Sequence, residues 1–306
     1  MLAPRNMTAP LNDIEAKVRE GAPLDAAGAR AILAEHDLIA IGRLADTVRR
    51  RHHGDRVTYV RILELDVDQA PPAEPPPDVA PGEIRITGSI SDLATAQQLV
   101  RTVKSLAAPT PITGFALDAV VQACARENAS LADTLARLHD AGLDLIAEAA
   151  ADPLANPAAI LDAVPAAGLK IGRLVVKSDN GPDDLGAILA AFDLLRRSGG
   201  NIEAFAPLAR SDASPPSTGY DDVKRIAVAR LLAREGDRIQ VDWARHGPKL
   251  AQVALMFGVD DLDAVPALDA VDLGVRRSAH EEVRRNITAA GFVSVERNGR
   301  FEILST

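Results

Sequence analysis

The stretch 170-KIGRLVVKSDNGPDDLGAILAAFDLLRRSGGNIEAFAPLA-209 contains a strand pattern, a helix pattern and a second strand pattern in succession. Residues 170–178 and 202–209 are apolar runs of strand length, whereas residues 183–198 repeat apolar side chains at helical spacing. A strand, a crossover helix and another strand predict a right-handed βαβ unit in which the two strands are parallel.

The same alternation extends over most of the 306 residues. Further strand patterns lie at residues 58–67, 83–90, 112–117, 143–149 and 238–245, with an eighth near 258–265. Helical patterns separate them at residues 92–106, 131–141, 157–167, 221–234 and 248–257. This number of units favours an α/β fold with a closed parallel barrel of the triosephosphate isomerase type. An open dinucleotide-binding sheet is disfavoured because no strand runs into a G-x-G-x-x-G turn.

Helical segments flank the predicted barrel on both sides. Residues 11–20, 25–36 and 37–55 form three helical patterns, and Asp25 is a suitable N-cap for the second. After the barrel, Ser278 and Glu281 form a capping box for a helix that ends near residue 290. Residues 292–304 predict a β-hairpin with Asn298-Gly299 as its turn. We therefore divide the chain into an N-terminal helical segment packed on the barrel (1–56), the barrel (57–275) and a C-terminal extension (276–306).

One connection departs from the alternating pattern. Residues 71–81, which link the first two predicted strands, contain six prolines. Proline cannot continue the interior of an α-helix, and consecutive prolines favour an extended path. The sequence therefore predicts that a proline-rich loop replaces the first crossover helix.

Composition excludes several classes of protein. A formal net charge of −9 argues against a dedicated nucleic-acid binder, which normally presents a basic face. The sequence contains neither an apolar run long enough for a membrane helix nor a signal-peptide pattern, which predicts a cytoplasmic protein that does not associate with membranes. Cys124 is the one cysteine of the chain, so an intrachain disulfide and a cysteine-based metal site are excluded, and we predict no metal site.

Several segments resemble a known enzyme family. The stretches 38-LIAIGRLADTVRRRHHGDRVTYV-60, 203-EAFAPLA-209, 221-DDVKRIAVARLL-232, 247-GPKLAQVALMFGVDDLDAV-265 and 279-AHEEVRRNITAAGFVSVER-297 carry the resemblance. They are similar to the radical S-adenosylmethionine enzymes of menaquinone and deazaflavin biosynthesis, closest to aminofutalosine synthase. The resemblance implies the same barrel and small anionic substrates.

The chain departs from this family where the chemistry takes place. In the family, the loop after the first strand carries C-x-x-x-C-x-x-C, and its thiolates hold a [4Fe–4S] cluster that binds S-adenosylmethionine. The corresponding proline-rich loop contains neither Cys nor His, and Cys124 follows the third strand. The loop after the fourth strand reads 147-AEAAAD-152, where the family has a glycine-rich stretch. We therefore expect no iron–sulfur cluster, and the resemblance lends no support to S-adenosylmethionine binding.

Polar residues at the carboxyl ends of barrel strands are the candidates for function. Glu64 and Asp66 of the first strand, with Asp68 in the loop, alternate with apolar residues and face one side. They are predicted ligand-binding residues that could hold a cation or perform acid–base chemistry, unless they are simply solvated. Glu148 is a further ligand-binding candidate on the fourth strand.

Lys177 ends the fifth strand and is a candidate catalytic base or Schiff-base former. The alternative is that its ammonium group reaches solvent and pairs with Asp179. A desolvated lysine and a solvent-exposed lysine are both compatible with the apolar run that precedes it.

The end of the seventh strand carries Asp242, Arg245, His246, Gly247 and Lys249. Asp242 and His246 are candidate catalytic residues. The N–H groups that open the next helix, with Arg245 and Lys249 beside them, suit a carboxylate or phosphate, so Arg245, His246, Gly247 and Lys249 are predicted to bind a ligand. The alternative is that residues 247–249 only cap the helix.

The basic run 49-RRRHH-53 ends the third helical pattern, where such charges are expected to be solvated partners of the helix dipole. Cys124, between two alanines, is expected to be a small buried apolar residue.

Three functional hypotheses follow. The first is a non-catalytic paralogue of aminofutalosine synthase that serves menaquinone biosynthesis by the futalosine route. It would be a partner of a cluster-bearing homologue or other pathway enzyme, a regulator, or a binder of anionic aromatic or nucleoside intermediates. The second is an enzyme that uses cluster-independent acid–base chemistry in the same barrel. The third is a radical S-adenosylmethionine enzyme whose cluster is supplied from elsewhere.

Overall fold

The computed structural model describes residues 9–68, 80–151, 157–177, 185–209, 219–268 and 278–304, with the backbone alone at residues 9, 10, 157, 158 and 209. Eight parallel strands form a closed barrel: β1 (Arg56–Asp66), β2 (Glu83–Thr87), β3 (Ile112–Ala116), β4 (Leu145–Ala150), β5 (Ile171–Val176), β6 (Ile202–Ala209), β7 (Arg238–Asp242) and β8 (Asp261–Pro266). They follow one another in chain order, and β1 pairs with both β8 and β2 to close the ring. The predicted α/β barrel is confirmed.

Eleven helices lie within the described residues. They are α1 (Ala9–Glu20), α2 (Ala26–Ala34), α3 (Leu38–His53), α4 (Leu93–Ala107), α5 (Leu117–Glu127), α6 (Leu131–Asp140), α7 (Pro157–Ala166), α8 (Gly186–Arg197), α9 (Gly219–Leu232), α10 (Trp243–Leu255) and α11 (Ala279–Ala289). No helix in these ranges has the length and apolar character needed to cross a membrane.

The main hydrophobic core lies between the strands and the surrounding helices. Leu174, Val241 and Leu262 belong to the core that the strands share with the helices, and each is at most 1 % exposed. On the same strands the neighbouring residues are polar, such as Arg173 and Asp263, and these are buried as well. Because side chains alternate across a strand, the polar set faces the interior of the barrel, which we call the lumen.

The N-terminal helices pack onto one side of the barrel. The side chain of Asp25 accepts a hydrogen bond from the Gly28 amide at 2.8 Å, which confirms it as the N-cap of α2. Helices α2 and α3 contact α9, and the Leu24 amide donates to the Leu231 carbonyl at 2.8 Å. Residues 9–53 are thereby joined to the helical layer of the barrel.

The connection between β1 and β2 lies mostly outside the described residues. The two strands are direct neighbours, with Ile62 paired to Glu83 and Asp66 paired to Thr87 in a parallel register. The predicted extended course of the proline-rich segment falls within residues 69–79, which the structure does not describe.

Strand β7 is shorter than predicted. It ends at Asp242, and Trp243 already begins α10, so the expectation of a strand through residue 245 is wrong. The Asp242 carboxylate accepts a hydrogen bond from the Arg245 amide at 2.9 Å and caps this first helical turn. Gly247, with φ 78°, then interrupts the helix, which resumes at Pro248 as the Gly-Pro pair indicated.

The C-terminal extension combines a parallel strand with a chain reversal. Strand β9 (Val293–Glu296) pairs in parallel with the first half of β1, and Arg297 then forms an antiparallel bridge with Ile303. The predicted reversal is confirmed, but its left-handed residue is Phe301 (φ 63°) and not the Asn298-Gly299 pair. Gly299 has another role, because a Cβ there would lie 2.8 Å from the Glu83 side chain.

The basic run at the end of α3 is not simply solvated, in contrast to the prediction. Arg49 is fully buried, lies 3.9 Å above the Phe292 ring and donates to Asp46 at 3.1 Å. Burial, with the nearby Arg230 guanidinium acting in the same direction, lowers the pKa of His52 to about 4. The packing of α3 against α9 and the contact of Arg49 with Phe292 cover this helix end.

Candidate functional site

The centre of the lumen is filled by ion pairs. Arg85 of β2 donates two hydrogen bonds of 2.8 Å to the two carboxylate oxygens of Asp263 on β8. Its Nε also donates to Glu83 at 2.6 Å, and Thr113 of β3 donates to the same Glu83 oxygen at 2.6 Å. Bidentate pairing of this kind fixes both partners in position.

Arg173 of β5 extends these pairs across the barrel. It donates to Asp263 at 2.5 Å and to Glu148 of β4 at 3.0 Å. Glu148 was predicted as a ligand-binding residue, and the structure places its carboxylate against Arg173. Asp263 therefore lies between two guanidinium groups that come from different strands.

A second group of pairs lies nearer the amino-terminal end of the strands. Arg297, which follows β9, donates two hydrogen bonds of 2.7 Å to Asp261. Thr58 of β1 and Gln240 of β7 also donate to Asp261, at 2.5 and 2.6 Å. Arg297 lies 3.8 Å from Asp263, so the two groups are continuous. We call them together the lumen network, which consists of Glu83, Arg85, Glu148, Arg173, Asp261, Asp263 and Arg297.

Ionisation of the network is favoured in spite of its burial. Burial by itself would raise the pKa of Asp263, but Arg85 and Arg173 hold that pKa far below its usual value. Burial likewise acts to lower the pKa of Arg85, but the carboxylates of Asp263 and Glu83 raise that pKa well above its usual value. The charges therefore compensate one another, as buried charges must.

The amino-terminal end of the barrel is closed by residues 297–304, which we call the closing segment. The Gly299 amide donates to the Gly82 carbonyl at 2.9 Å, and a Cβ at Gly82 would lie 2.8 Å from the Arg297 carbonyl oxygen. Both glycines therefore permit the segment to lie directly on the barrel. The Phe301 ring lies against the Arg297 guanidinium at 3.9 Å, and Arg300 pairs with Asp144 at 2.8 Å.

The carboxyl end of the barrel, its mouth, carries most of the predicted site residues. Glu64 is exposed and Asp66 is half-buried, although the two lie on the same strand. Asp68 accepts hydrogen bonds from the amide and hydroxyl of Ser89, at 3.2 and 2.9 Å. The three carboxylates thus occupy different environments, and Asp68 is used in a local loop contact.

A cavity of about 230 Å³ lies beside these carboxylates. Leu65 and Val67 of the β1 end line it together with Leu99 of α4 and Phe115 of β3. The cavity is therefore bounded by the face of β1 that a first crossover helix would cover in a regular barrel.

Lys177 follows β5 and pairs with Asp118 at the start of α5. Its Nζ lies 2.8 Å from an Asp118 carboxylate oxygen, and the two side chains are 38 % and 42 % exposed. The predicted alternative partner, Asp179, lies outside the described residues. Lys177 is thus a half-exposed member of an ion pair.

The predicted anion site follows β7. Arg245 and Lys249 are exposed, whereas His246 and Gly247 are half-buried. Asp242, 7 % exposed, is directed to the Arg245 amide as described above. The interruption at Gly247 gives two successive helix starts within one short segment.

The strand order separates the predicted residues into distinct groups. Glu64 and Asp66 lie on β1, with β8 between them and the β7 end, whereas Lys177 and Glu148 belong to β5 and β4 on the far side. These residues therefore come from different sides of the barrel, and Glu148 belongs to the lumen network.

The one thiol of the chain lies in the helical layer of the barrel. Cys124 lies on α5, is 5 % exposed and donates to the Thr134 hydroxyl at 3.3 Å, so it is a small buried residue as predicted. Within the described ranges, no group of three or more His, Cys, Asp or Glu side chains could hold a metal ion. One buried thiol does not fit a cluster that three thiolates hold.

Glu148 is the one member of the lumen network among the predicted site residues, and the other six are not among them. Four of the six follow the alternation of the strands in 83-EIR-85 and 261-DLD-263, where charged residues occupy every second position. In a closed barrel that pattern places the charges in the lumen. Arg173 is the one charged residue of β5 and Arg297 follows β9, so no such alternation indicates them.

Comparisons with solved structures identify the class of fold. Methylornithine synthase superposes with a TM-score of 0.63 at 14 % identity, over 92 % of this chain and 97 % of that one. A maturase of the [FeFe]-hydrogenase superposes with a TM-score of 0.65 at 10 % identity, over 95 % and 76 % of the two chains. At such identities the superpositions establish the barrel fold alone.

Comparisons of sequence lead to particular relatives. The chain is 39 % identical over 94 residues to aminodeoxyfutalosine synthase of Streptomyces coelicolor, which is 29 % of this chain and 24 % of that protein. It is 36 % identical over 94 residues to 5-amino-6-(D-ribitylamino)uracil–L-tyrosine 4-hydroxyphenyl transferase of Archaeoglobus fulgidus, covering 29 % and 27 % of the two. No protein-family profile matches the chain.

The matched segments span about a quarter of each relative. An aminodeoxyfutalosine synthase of Thermus thermophilus is matched to a similar extent, with 33 % identity over 90 residues. These matches bear out the predicted similarity to aminofutalosine synthase over 29 % and 28 % of this chain.

Proposed function

We propose that this chain is a relative of aminodeoxyfutalosine synthase that acts in or alongside menaquinone biosynthesis without radical chemistry of its own. Its role is to bind a small anionic aromatic or nucleoside intermediate at the mouth of the barrel, or to assist a cluster-bearing homologue. The proposal extends the similarity to aminodeoxyfutalosine synthase, which covers a limited part of the chain.

The number and the position of the cysteine side chains that could bind iron support the proposal. Cys124 is the single cysteine, and its thiol is buried on α5 in contact with Thr134. A [4Fe–4S] cluster with an open iron needs three ligands at one place, and these are normally thiolates. The chain therefore lacks the groups that would anchor a cluster beside bound S-adenosylmethionine.

The lumen network supports binding at the mouth and argues against binding inside the barrel. Arg85, Arg173 and Asp263 are each about 5 % exposed or less, and their charges are satisfied by one another. A ligand inside the lumen would have to break such pairs, at a cost of about 3–5 kcal/mol for each buried pair. The accessible polar groups are those that encircle the mouth.

The segment after β7 is the proposed anion contact. Arg245 and Lys249 are exposed, and Gly247 separates two helix starts whose amides favour negative charge. A planar carboxylate suits a guanidinium group in particular, because the two can share paired hydrogen bonds.

Titration calorimetry of the purified chain tests this role. The probes are 3-hydroxybenzoate and adenosine 5′-monophosphate as anions, with S-adenosylmethionine in parallel. We expect an anionic probe to bind and Arg245→Gln to weaken it about tenfold, which corresponds to about 1.4 kcal/mol. Arg300→Gln, at the opposite end of the barrel, is the matched control and should leave the affinity unchanged.

Two results would overturn the proposal. Formation of 5′-deoxyadenosine from S-adenosylmethionine by the chain alone would contradict the loss of radical chemistry. The second result combines two observations: neither anionic probe binds, and the chain does not co-purify with an aminodeoxyfutalosine synthase from the same genome. Together they would contradict both the ligand-binding role and the partner role.

A further inference from the structure

Two buried polar atoms inside the barrel have no hydrogen-bond partner among the described residues. One is the Nε of Arg173, a donor, and the other is the Oε1 of Gln240, an acceptor. Arg173 is 5 % exposed and Gln240 is 1 % exposed. An unsatisfied buried donor or acceptor costs about 1–3 kcal/mol, so two of them in one lumen require an explanation.

Both residues line the same cavity. It lies within the lumen network, between β5 and β7, and its lining also includes Thr113, Asp263 and Phe301. Phe301 belongs to the closing segment, so the cavity is bounded on that side by the returning chain. Its volume of about 10 Å³ is enough for one water molecule.

The orientation of the Gln240 amide is fixed by its neighbour. Its Nε2 donates to an Asp261 carboxylate oxygen at 2.6 Å, and a carboxylate can accept but not donate there. The amide oxygen is therefore the atom that needs a donor. Arg173 uses its two terminal nitrogens for Asp263 and Glu148, which leaves Nε–H as the group that needs an acceptor.

We propose that one ordered water molecule occupies this cavity and bridges Arg173 and Gln240. Water accepts from the Nε–H of Arg173 and donates to the Oε1 of Gln240, so one molecule satisfies both atoms. Buried waters typically make two to four such bonds, and the hydroxyl of Thr113 and the carboxylate of Asp263 line the same space.

Charge balance excludes an ion as the occupant. The cavity is lined by two guanidinium groups, Arg85 and Arg173, and by the carboxylates of Glu83 and Asp263. These four charges already cancel, so a cation or an anion would add an uncompensated buried charge. A neutral molecule that is both donor and acceptor fits, and the volume admits nothing larger than water. This inference does not depend on the proposed function.

A crystal structure at about 1.5 Å resolution tests the proposal directly. We expect a density peak in the cavity within about 3.5 Å of both Arg173 Nε and Gln240 Oε1. In solution, a water cross-peak to the ¹⁵Nε–H of Arg173 should carry the sign of a long-lived bound water. An empty cavity in the density, or no such cross-peak, overturns the inference.

A variant pair tests the bridge itself. Gln240→Met removes the acceptor at similar size, and we expect the peak to disappear and the melting temperature to fall. Thr58→Val is the matched control, because it removes a hydrogen bond to the same Asp261 without touching the cavity. We expect Gln240→Met to melt about 2 °C or more below Thr58→Val.

The alternatives give distinct results. A peak that persists in Gln240→Met would show that Gln240 does not hold the water, which contradicts the proposed bridge. Anomalous scattering at the position after a bromide soak would show an anion and would also overturn it. If Gln240→Met fails to fold, the density and the Arg173 cross-peak of the unsubstituted chain still decide the question.

Discussion

The two ends of the barrel use charged residues in different ways. At the amino-terminal end and in the centre, Arg297, Asp261 and Asp263 are at most 1 % exposed and pair with one another. At the mouth, Lys177 and Asp118 also form an ion pair, but the two side chains are 38 % and 42 % exposed. The same kind of contact is therefore structural at one end and accessible at the other.

This difference decides which polar residues are candidates for function. A charged side chain on a barrel strand can face the lumen and hold the strands together, as Arg85 and Asp263 do. An exposed pair adds little to stability, about 0–1 kcal/mol, so its residues remain available to a ligand. Whether a charged residue holds the strands together or is available to a ligand therefore depends on its position along the strand, and not on its charge alone.

The largest expected effect comes from the closed end. Arg297→Met removes the bidentate partner of Asp261 and leaves that carboxylate buried without its counter-charge. We expect the free energy of unfolding to fall by about 3–5 kcal/mol, measured by urea denaturation.

Arg300→Met is the matched control for that variant. Arg300 belongs to the same closing segment, but its side chain is 40 % exposed where it pairs with Asp144. We expect a loss of less than about 1 kcal/mol. Equal losses in the two variants would contradict the claim that burial distinguishes the lumen network.

An intermediate effect is expected from the end of α3 as the pH falls. Burial, with Arg230 and His53 nearby, lowers the pKa of His52 to about 4 from an ordinary value of 6.5. Between these two values the unfolded chain gains a proton that the folded chain does not. The contribution of His52 to the free energy of unfolding is therefore fully present above pH 6.5. It is lost as the pH falls from 6.5 to about 4, and further acidification does not change it.

Thermal unfolding between pH 7 and pH 4 measures this contribution. We expect His52→Gln to flatten the decline in melting temperature over that range. His139→Gln, at a histidine whose side chain is 47 % exposed, is the matched control and should keep the original profile. An unchanged slope in His52→Gln would show that burial of this imidazole does not set the acid sensitivity.

The smallest effect is expected at the mouth. Lys177→Met and Asp118→Asn each remove one half of an exposed pair, and the double variant completes a thermodynamic cycle. We expect a coupling energy of about 0.2–1 kcal/mol in the free energy of unfolding, decreasing with salt. A coupling above about 3 kcal/mol would show that the mouth behaves like the buried network.

The barrel can be predicted from the sequence because the patterns that indicate its strands and helices involve residues close together in the chain. Apolar runs, helical spacing and the caps at Asp25 and Ser278 each depend on a few neighbouring residues, and the structure has them where expected. The start of α10 was not predicted because it depends on a single capping contact, in which the Arg245 amide donates a hydrogen bond to the Asp242 carboxylate.

The lumen network could not be predicted in the same way. Arg85 and Asp263 are 178 positions apart, and no local pattern relates them. Arg297 reaches the lumen only because β9 pairs in parallel with β1, beside the start of β2. These ion-pair partners meet only when the strands close into a barrel and the C-terminal segment lies against it.

The proposed loss of the cluster is tested most directly by anaerobic reconstitution with iron and sulfide, followed by iron analysis and absorbance between 300 and 700 nm. Because Cys124 is the one cysteine and is buried on α5, we predict no stoichiometric iron and no charge-transfer absorbance after desalting. Binding of about four iron atoms per chain, with the absorbance of a [4Fe–4S] cluster, would contradict the account.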